Sequence, residues 1–342
     1  MRLSLALAAA ALLALAGCGS SEEPEAQPSA TSTPAAAAET FPQTVEHKFG
    51  STTVPKKPER IVIVGLTEQD TVLELGYTPV ATTEWYGEQP YAVWPWAQAL
   101  LGDAKPTVLT NSDGFDYEKI ATLRPDLIIG TNAGMKQADY DKLSKLAPTI
   151  AGPKGSPDYF SPWDQQTTLI AQALGKPEEG AKLIQGVKDA YAAAAAENPE
   201  FKGKTATFSQ NAFYDGELYV YPDGLSTDFL TYLGFVINPK LTPLVKNVGE
   251  QVAVSAERLD VIDADVIVFA TEKASDIAAL KKEPTFGFLS AVKGKHAVYT
   301  DPTLSGAMYF DTPLALKYTL EKLTPALKDA VAGESPEALV GK

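Results

Sequence analysis

Aromatic side chains crowd one stretch of this sequence. Three of the four tryptophans, Trp85, Trp94 and Trp96, lie close together, and Tyr86 is among them. Flat aromatic rings offer large apolar contact areas at little conformational cost. Such a group is typical of a binding site for a bulky, apolar ligand. We therefore expect a binding site here.

Other parts of the chain offer partners for this aromatic loop. Each candidate follows the carboxyl end of a predicted strand, where open α/β sheets bind their ligands. The further candidates are Phe213, Tyr214, Tyr219, Met308 and Tyr309, with Asn132 and Lys136 as polar side chains that would orient the ligand. Any one of these residues could instead pack within its own lobe, so the prediction rests on the clustering.

The sequence offers little for catalysis or metal binding. GxSxG, HExxH and GxGxxG patterns are absent, and the two histidines, His47 and His296, are far apart in sequence. We interpret both histidines as structural or solvated. The residues therefore predict neither an enzyme nor a protein-held metal, and no cofactor.

Strands and helices alternate through the first half. Apolar runs predict strands at 61–64, 79–83, 127–129 and 149–151, separated by helices at 67–75, 117–123 and 137–146 and followed by a helix at 163–174. Thr67 and Asp70 have the spacing of a capping box at the first of these helices. This order indicates parallel β/α units.

The second half repeats the first. Residues 118–129 read EKIATLRPDLII and residues 257–268 read ERLDVIDADVIV, so that Glu118 aligns with Glu257 and Asp126 with Asp265. A long helix is predicted between the halves, since Pro177 opens an amphipathic run. We predict an α/β fold of two three-layer β/α lobes, 44–175 and 200–342, joined by one helix at 176–199. An ordinary surface helix would show the same periodicity.

The N-terminus has the pattern of an export signal. Arg2 precedes an apolar run at 3–16, and the only cysteine, Cys18, follows Gly17. This pattern resembles a bacterial lipoprotein signal, with residues 1–17 removed and Cys18 lipidated. Residues 18–43, rich in Ser, Pro, Glu and Ala, are predicted to form a flexible tether. The expected location is the outer face of the cell membrane.

Composition excludes several classes. The 342 residues carry 29 Lys and Arg against 43 Asp and Glu, a net charge of -14, so phosphate backbones would repel the chain. No apolar run beyond the N-terminus approaches the roughly 18 residues of a membrane span. We therefore expect no nucleic-acid partner and no multi-span membrane protein.

Taken in order, the motifs resemble a known family, the substrate-binding lipoproteins of iron-siderophore and cobalamin ABC importers. The matching segments are PERIV at 58–62, EKI at 118–120, LRPDLII at 123–129, the block 254–268 and the segment 294–301. The segment VEHKFG at 45–50 is similar to the actinobacterial siderophore branch. The resemblance implies two rigid lobes, a ligand cleft between them, and a monomer that delivers a ferric siderophore to an ABC permease.

Arginine bears on the charge of that ligand. Arg2 lies in the signal, Arg60 precedes a strand, and Arg124 and Arg258 occupy matched positions of the repeat. None falls in the expected cleft, although a triply anionic catecholate chelate would need cationic side chains there. We expect a neutral or positive hydroxamate chelate, which would bring its iron already bound.

The resemblance also implies docking residues. Family members pair one glutamate on each lobe with permease arginines, and Glu118 matches the first such position. At the second position this chain has Thr231, and Asp228 is a candidate substitute.

Three rival functions remain open. A haem or cobalamin binder of the same fold is one, with Tyr86 or Tyr309 as an iron ligand. A tethered cell-surface hydrolase and a purely structural wall-associated lipoprotein are the others.

Overall fold

The computed structural model describes residues 39–341, which lie within one compact unit. Cys18, the predicted signal and most of the predicted tether lie outside the described residues. Within residues 39–341, no helix combines the length and the apolar character that crossing a membrane requires.

An antiparallel hairpin opens the described chain. Strand β1 (Gln43–His47) pairs with β2 (Gly50–Val54), with Gln43 opposite Val54. His47 is buried, and its Nε2 lies 2.9 Å from the hydroxyl of Thr52. This histidine therefore has the structural role that its sequence context indicates.

The first lobe contains a fully parallel five-stranded sheet. Its strands are β3 (Ile61–Ile63), β4 (Ala81–Thr83), β5 (Thr107–Leu109), β6 (Leu127–Gly130) and β7 (Thr149–Ala151), in the spatial order β5-β4-β3-β6-β7. Strands β3, β4, β6 and β7 are buried along their whole length, as expected for a sheet covered on both faces.

Helices connect and cover these strands. They are α1 (Gln69–Glu74), α2 (Pro95–Leu101), α3 (Tyr117–Thr122), α4 (Gln137–Leu143) and α5 (Trp163–Ala173). Asp116 caps α3, since its carboxylate accepts a 2.9 Å hydrogen bond from the backbone N–H of Lys119. The capping box predicted for α1 is wrong: Asp70 is fully buried and bonds elsewhere, as described below.

A long helix, α6 (Pro177–Glu197), follows the first lobe. Its 21 residues extend about 31 Å at roughly 1.5 Å per residue. It packs against α5 on one side and against the C-terminal helix on the other. Val187 and Tyr191 are its buried apolar side chains, and the hydroxyl of Tyr191 donates a 2.9 Å hydrogen bond to the Leu316 carbonyl. The predicted connection between the lobes is therefore present.

The second lobe contains a seven-stranded mixed sheet. Its strands are β8 (Thr205–Gln210), β9 (Glu217–Tyr221), β10 (Val236–Ile237), β11 (Val252–Ser255), β12 (Val266–Ala270), β13 (Ala297–Thr300) and β14 (Leu339–Val340). The order is β11-β9-β8-β12-β13-β14, with β10 also parallel to β8. Strands β9 and β11 are antiparallel to their neighbours. The sequence repeat did not predict this antiparallel extension.

Five helices complete the second lobe. They are α7 (Asp228–Thr231), α8 (Ala274–Lys282), α9 (Ser290–Lys293), α10 (Pro302–Phe310) and α11 (Pro313–Ala332). The last of these also contacts α1 and α2 of the first lobe. Lys317 on α11 forms a 2.6 Å ion pair with Glu74 at the end of α1. The C-terminal helix therefore binds the two lobes together.

The sequence repeat corresponds to a repeated structure. In each lobe an aspartate just before a central strand accepts hydrogen bonds from the start of the neighbouring parallel strand. Asp126 binds the backbone N–H groups of Glu59 and Arg60, and Asp265 binds the N–H and hydroxyl of Thr205. These bonds fix the register of β3 with β6 and of β8 with β12.

Candidate functional site

A cavity of about 650 Å³ lies between the two lobes. Residues 157–160, which follow β7, line it from the first lobe. Tyr219 on β9 and residues 248–251 line it from the second lobe. Gly249 lies so close to Pro157 that an added Cβ would be 2.7 Å from the proline ring. The lobes therefore meet at this cavity.

A second cavity, of about 580 Å³, adjoins the first. It belongs to the second lobe and shares Tyr219 and Gln251 with the cavity between the lobes. The full set of lining residues is Gln210, Asn211, Ala212, Phe213, Tyr214, Tyr219, Gln251, Asp276 and Ala279. Three predicted site residues, Phe213, Tyr214 and Tyr219, therefore lie together around this cavity.

The aromatic loop of the first lobe contacts the lining of the first cavity. Trp85 and Tyr86 are partly buried, and their ring centroids are 5.0 Å apart. The Trp85 ring lies 6.3 Å from that of Phe160, which lines the first cavity. Trp85 is thus connected to the cavity through one aromatic neighbour. Phe160 was not among the predicted site residues, although it too follows a strand of the first lobe.

Trp94 packs in the core rather than lining a cavity. It is only 2 % exposed, its ring stacks on that of Trp96 at 5.1 Å, and it contacts Tyr86 and Phe310. Its ring occupies space that the absent side chain of Gly306 leaves open. Burial at this depth leaves Trp94 no surface for a ligand. Trp96 is only partly buried, and its Nε1 donates a 2.7 Å hydrogen bond to Asp70.

Met308 and Tyr309 are buried as well. Both lie on α10, which is buried along most of its length against the second sheet. The hydroxyl of Tyr309 donates a 3.3 Å hydrogen bond to the Ala270 carbonyl, at the end of β12. Burial raises the pKa of Tyr309 well above its ordinary value. These two side chains support the cleft wall from behind.

The two polar candidates of the first lobe already have partners. The amide of Asn132 donates to the Thr67 hydroxyl and accepts from the Phe160 backbone N–H at 3.0 Å, and it is buried. Asn132 therefore positions the cavity-lining loop 157–160. The other candidate, Lys136, is exposed and bonded to Asp158 in that loop.

Asp158 holds two lysines at the edge of the first cavity. Besides Lys136, it accepts a 2.7 Å bond from Nζ of Lys48 in the hairpin turn. These two hydrogen bonds, that of Lys136 first, lower the pKa of Asp158. Lys48 was not predicted, and no local sequence signal could reveal it, because it lies 110 residues from its partner.

Acidic groups border the cleft on the second lobe. Asp276 lines the second cavity, and Glu272 follows β12 at its carboxyl end. The pKa of Glu272 is raised, mainly by burial and further by the negative charge of Asp276. The three described arginines, Arg60, Arg124 and Arg258, line neither cavity. They lie near the amino ends of β3, β6 and β12, away from the cleft edge.

Asp228 lies at the junction of the lobes and is partly buried beside Trp163 and Tyr232. Burial, and then the nearby negative charge of Asp164, raises its pKa. The docking role expected for Asp228 stays a prediction.

Glu118 and Glu257 occupy equivalent exposed positions. Each lies in the first turn of the helical segment that precedes the central strand of its lobe. Neither forms an ion pair with another residue of the 39–341 range. The sequence repeat aligned this pair, but Glu257 was overlooked as a docking candidate.

The geometry of the cleft is suited to binding. Among the residues that the structure describes, no group of three or more His, Cys, Asp or Glu side chains could hold a metal ion. Nδ1 of His296 donates a 2.5 Å hydrogen bond to the Ala330 carbonyl, and His296 lines neither cavity. Two adjoining cavities with aromatic walls can hold a ligand whose surface is largely apolar.

The chain belongs to a family of periplasmic binding proteins, whose sequence profile matches residues 61–304. A periplasmic solute binding protein from Mycobacterium smegmatis str. MC2 155 has a similar solved structure, with a TM-score of 0.78 and 39% identity, covering 84% of this chain and 98% of that one. PiaA of Streptococcus pneumoniae TIGR4, solved in complex with ferrichrome, has a TM-score of 0.73 and 28% identity, covering 85% and 99%.

The sequence is also similar to that of a curated relative. YhfQ of Bacillus subtilis (strain 168), which carries the name of an ABC transporter substrate-binding lipoprotein, is 31% identical over 308 residues. These residues are 83% of this chain and 89% of YhfQ. The family resemblance and the fold class expected from the sequence are therefore confirmed.

Proposed function

We propose that this protein is a lipid-anchored extracytoplasmic receptor that captures a ferric siderophore and delivers it to an ABC import permease. The observation that carries the proposal is a cavity between the two lobes that adjoins a second cavity in the second lobe, with aromatic walls and no arginine among their lining residues. It acts as a monomer and as a binding protein, not an enzyme. The iron arrives inside its chelate, so the protein needs no cofactor.

The charge of the cleft favours a hydroxamate chelate. A ferric tris-catecholate carries three negative charges and needs cationic donors in a low-dielectric site. Lys48 and Lys136 are both bonded to Asp158, which lines the first cavity. A trihydroxamate that binds Fe³⁺ is neutral around the metal, so it enters this cleft without an unpaired charge. The ferrichrome complex of PiaA, a neutral trihydroxamate bound to a structural relative, supports this choice.

A role in haem binding is less well supported. Haem iron would need a tyrosinate at the cleft surface, and the candidates were Tyr86 and Tyr309. Burial raises the pKa of both phenols well above the ordinary value, and Tyr309 is bonded to a backbone carbonyl. Their neutral forms are poor iron ligands.

The anchor and the docking surface complete the proposal. Cys18 carries the lipid, and the predicted tether, shortened to residues 18–38 because Glu39 pairs with Lys57 and Gln43 lies in β1, leads to the outer face of the cell membrane. Glu118 and Glu257 together contact the permease. Two observations support this role: the two glutamates occupy equivalent positions, one on each lobe, and both are exposed.

Ligand titration tests the proposal. The chain beginning at residue 19 is titrated, with tryptophan fluorescence as the readout, against ferrichrome, ferrioxamine B, a ferric tris-catecholate, haem and cobalamin. We expect the trihydroxamates to bind at micromolar concentration or below and the tris-catecholate at least about tenfold more weakly. Tighter binding of the tris-catecholate, or a Soret band with haem, would contradict the proposal.

A pair of variants locates the site. Trp85→Ala should weaken trihydroxamate binding, because Trp85 supports the first cavity through Phe160. Phe288→Ala is the matched control: this aromatic side chain is 72 % exposed and lines neither cavity, so its removal should leave the affinity unchanged.

A further inference from the structure

The second cavity contains a carboxylate with one hydrogen-bonded oxygen and one free oxygen. Asp276 lines the cavity and is 7 % exposed. Its Oδ2 accepts hydrogen bonds of 2.9 Å from the backbone N–H groups of Glu272 and Lys273. Its Oδ1 has no hydrogen-bond partner within residues 39–341. One oxygen of a nearly buried carboxylate is therefore left for a ligand.

Glu272 adds a second negative charge at the same place. It is half-buried two residues beyond β12, and its backbone N–H is bonded to Asp276, so its side chain starts beside that carboxylate. Burial, and then the charge of Glu272, raises the pKa of Tyr86.

The two carboxylates lack a compensating cation. The nearest lysine, Lys273, is exposed and forms no ion pair within 4.0 Å. The charge of Lys273 lowers the pKa of Glu272. This effect is smaller than the rise that burial and the charge of Asp276 cause. On the opposite wall, by contrast, Asp158 is bonded to two lysines. Uncompensated negative charge is therefore concentrated on the second lobe.

The remaining lining suits an organic cation. Phe213, Tyr214 and Tyr219 surround the cavity, and Tyr214 is 69 % exposed, so that aromatic faces are available for cation–π contact. An ammonium group can donate to the free Oδ1 of Asp276. A bare metal ion would need more oxygen ligands than these residues offer.

We propose that this second cavity is a subsite for a positively charged ammonium arm of the cargo. Asp276 binds the ammonium group, Glu272 adds negative charge beside it, and the rings of Phe213, Tyr214 and Tyr219 enclose the alkyl chain. The metal chelate itself occupies the first cavity, and the arm crosses the shared wall at Tyr219 and Gln251. This inference rests on the proposed function and specifies its substrate class: a trihydroxamate that ends in an amine.

One pair of chelates tests the subsite. Ferrioxamine B ends in a primary amine, and acetylation of this amine removes the charge and leaves the iron centre unchanged. Calorimetric titration of the wild-type protein should give an affinity about tenfold higher for the amine than for the acetylated form. Glu272→Gln together with Asp276→Asn should remove this preference, so that the two chelates bind with equal affinity. Asparagine at 276 retains an acceptor for the backbone N–H groups.

The controls make each outcome decisive. Glu59→Gln removes one negative charge at the amino end of β3, outside both cavities, and should keep the preference. If the double variant unfolds, Glu272→Gln alone should lower the preference severalfold. Equal wild-type affinity for the two chelates, or a preference that survives both substitutions, overturns the subsite but not the proposed function. Failure to bind either chelate overturns both.

Discussion

The carboxylate of Asp70 joins the two lobes through the hydroxyl of Thr312. Oδ2 of Asp70 accepts a 2.6 Å hydrogen bond from Thr312, which caps α11, and a 2.7 Å bond from Nε1 of Trp96 in the aromatic loop. Oδ1 is buried without a partner. The carboxyl group is fully buried, and this burial raises its pKa from 3.8 to about 7, although the two hydrogen bonds act in the opposite direction.

This raised pKa predicts that stability falls as the pH rises. Between about pH 4 and pH 7 the folded protein keeps a proton on Asp70 that the unfolded chain has lost, so each pH unit lowers the free energy of unfolding by up to about 1.4 kcal/mol. Asp70→Asn removes this dependence. From pH 5 to pH 8, the variant should gain roughly 3 kcal/mol relative to the wild-type protein.

Urea unfolding of both proteins at several pH values measures this difference. Above pH 7 to 8 the difference should become constant, since Asp70 is then ionised in both the folded and the unfolded state. Parallel stability curves for the two proteins between pH 5 and pH 8 would show that Asp70 is already ionised in the fold.

Gly306 lets α10 approach the tryptophan of the other lobe. An added Cβ would lie 2.5 Å from the ring of Trp94, which is itself buried. Gly306→Ala should therefore destabilise the protein by roughly 1–3 kcal/mol in spite of the better helix propensity of alanine. The matched control is Gly186→Ala on α6, where an added Cβ meets nothing within 4 Å and should stabilise by about 0.5–1 kcal/mol.

Thermal and urea unfolding of the two glycine variants would test the packing. Equal effects at the two positions would mean that the lobes are not tightly packed at Trp94.

Asp158 controls the charge that the first lobe presents to the cleft. Asp158→Asn would free Lys48 and Lys136 from their ion pairs and leave two cations beside the first cavity. We expect the affinity for anionic ferric chelates to rise about tenfold at low salt, and the gain to shrink as salt screens the charges. Titration with ferric citrate at two ionic strengths measures the effect.

A matched variant distinguishes a local effect from one of net charge. Asp103→Asn removes an equal charge at an exposed position that lines neither cavity, and it should leave the affinity for ferric citrate as it was. A similar gain in both variants would mean that the overall charge, not the freed lysines, attracts the anion.

If one glutamate on each lobe docks to the permease, substitution of these glutamates should impair transport and leave ligand binding intact. Glu118→Ala and Glu257→Ala should each lower cellular uptake of a radiolabelled ferric trihydroxamate by about tenfold, and the double variant should abolish it. The affinity of the isolated protein for the chelate should not change, because both residues lie at the amino ends of the central strands. Unchanged uptake in the double variant would contradict this docking surface.

The sequence was a good guide wherever the signal was local. Short β-branched runs mark β3 and β6 because both are buried on both faces, and Pro177 marks the start of α6. The repeat placed Asp126 and Asp265 at equivalent positions, and the structure gives them equivalent hydrogen bonds. Fold class and lobe architecture follow from such patterns.

The composition of the site could be predicted only in part. Phe213, Tyr214 and Tyr219 do line a cavity, but Trp94 and Met308 are core residues, because an aromatic or apolar side chain in a loop or helix reveals nothing about which lobe packs over it. Asp70 fits the spacing of a helix cap, yet its partner Thr312 lies 242 residues away. Contacts of this kind depend on tertiary structure and leave no periodicity in the sequence.

The contacts of α10 and α11 with the first lobe join distant parts of the chain. Trp94, Asp70 and Glu74 belong to the first third of the 342 residues, but their partners Gly306, Thr312 and Lys317 belong to the last third. The first lobe thus keeps an open face until residues 306–317 pack against it. Unfolding of the second lobe should expose this face, so that the two lobes lose their structure together.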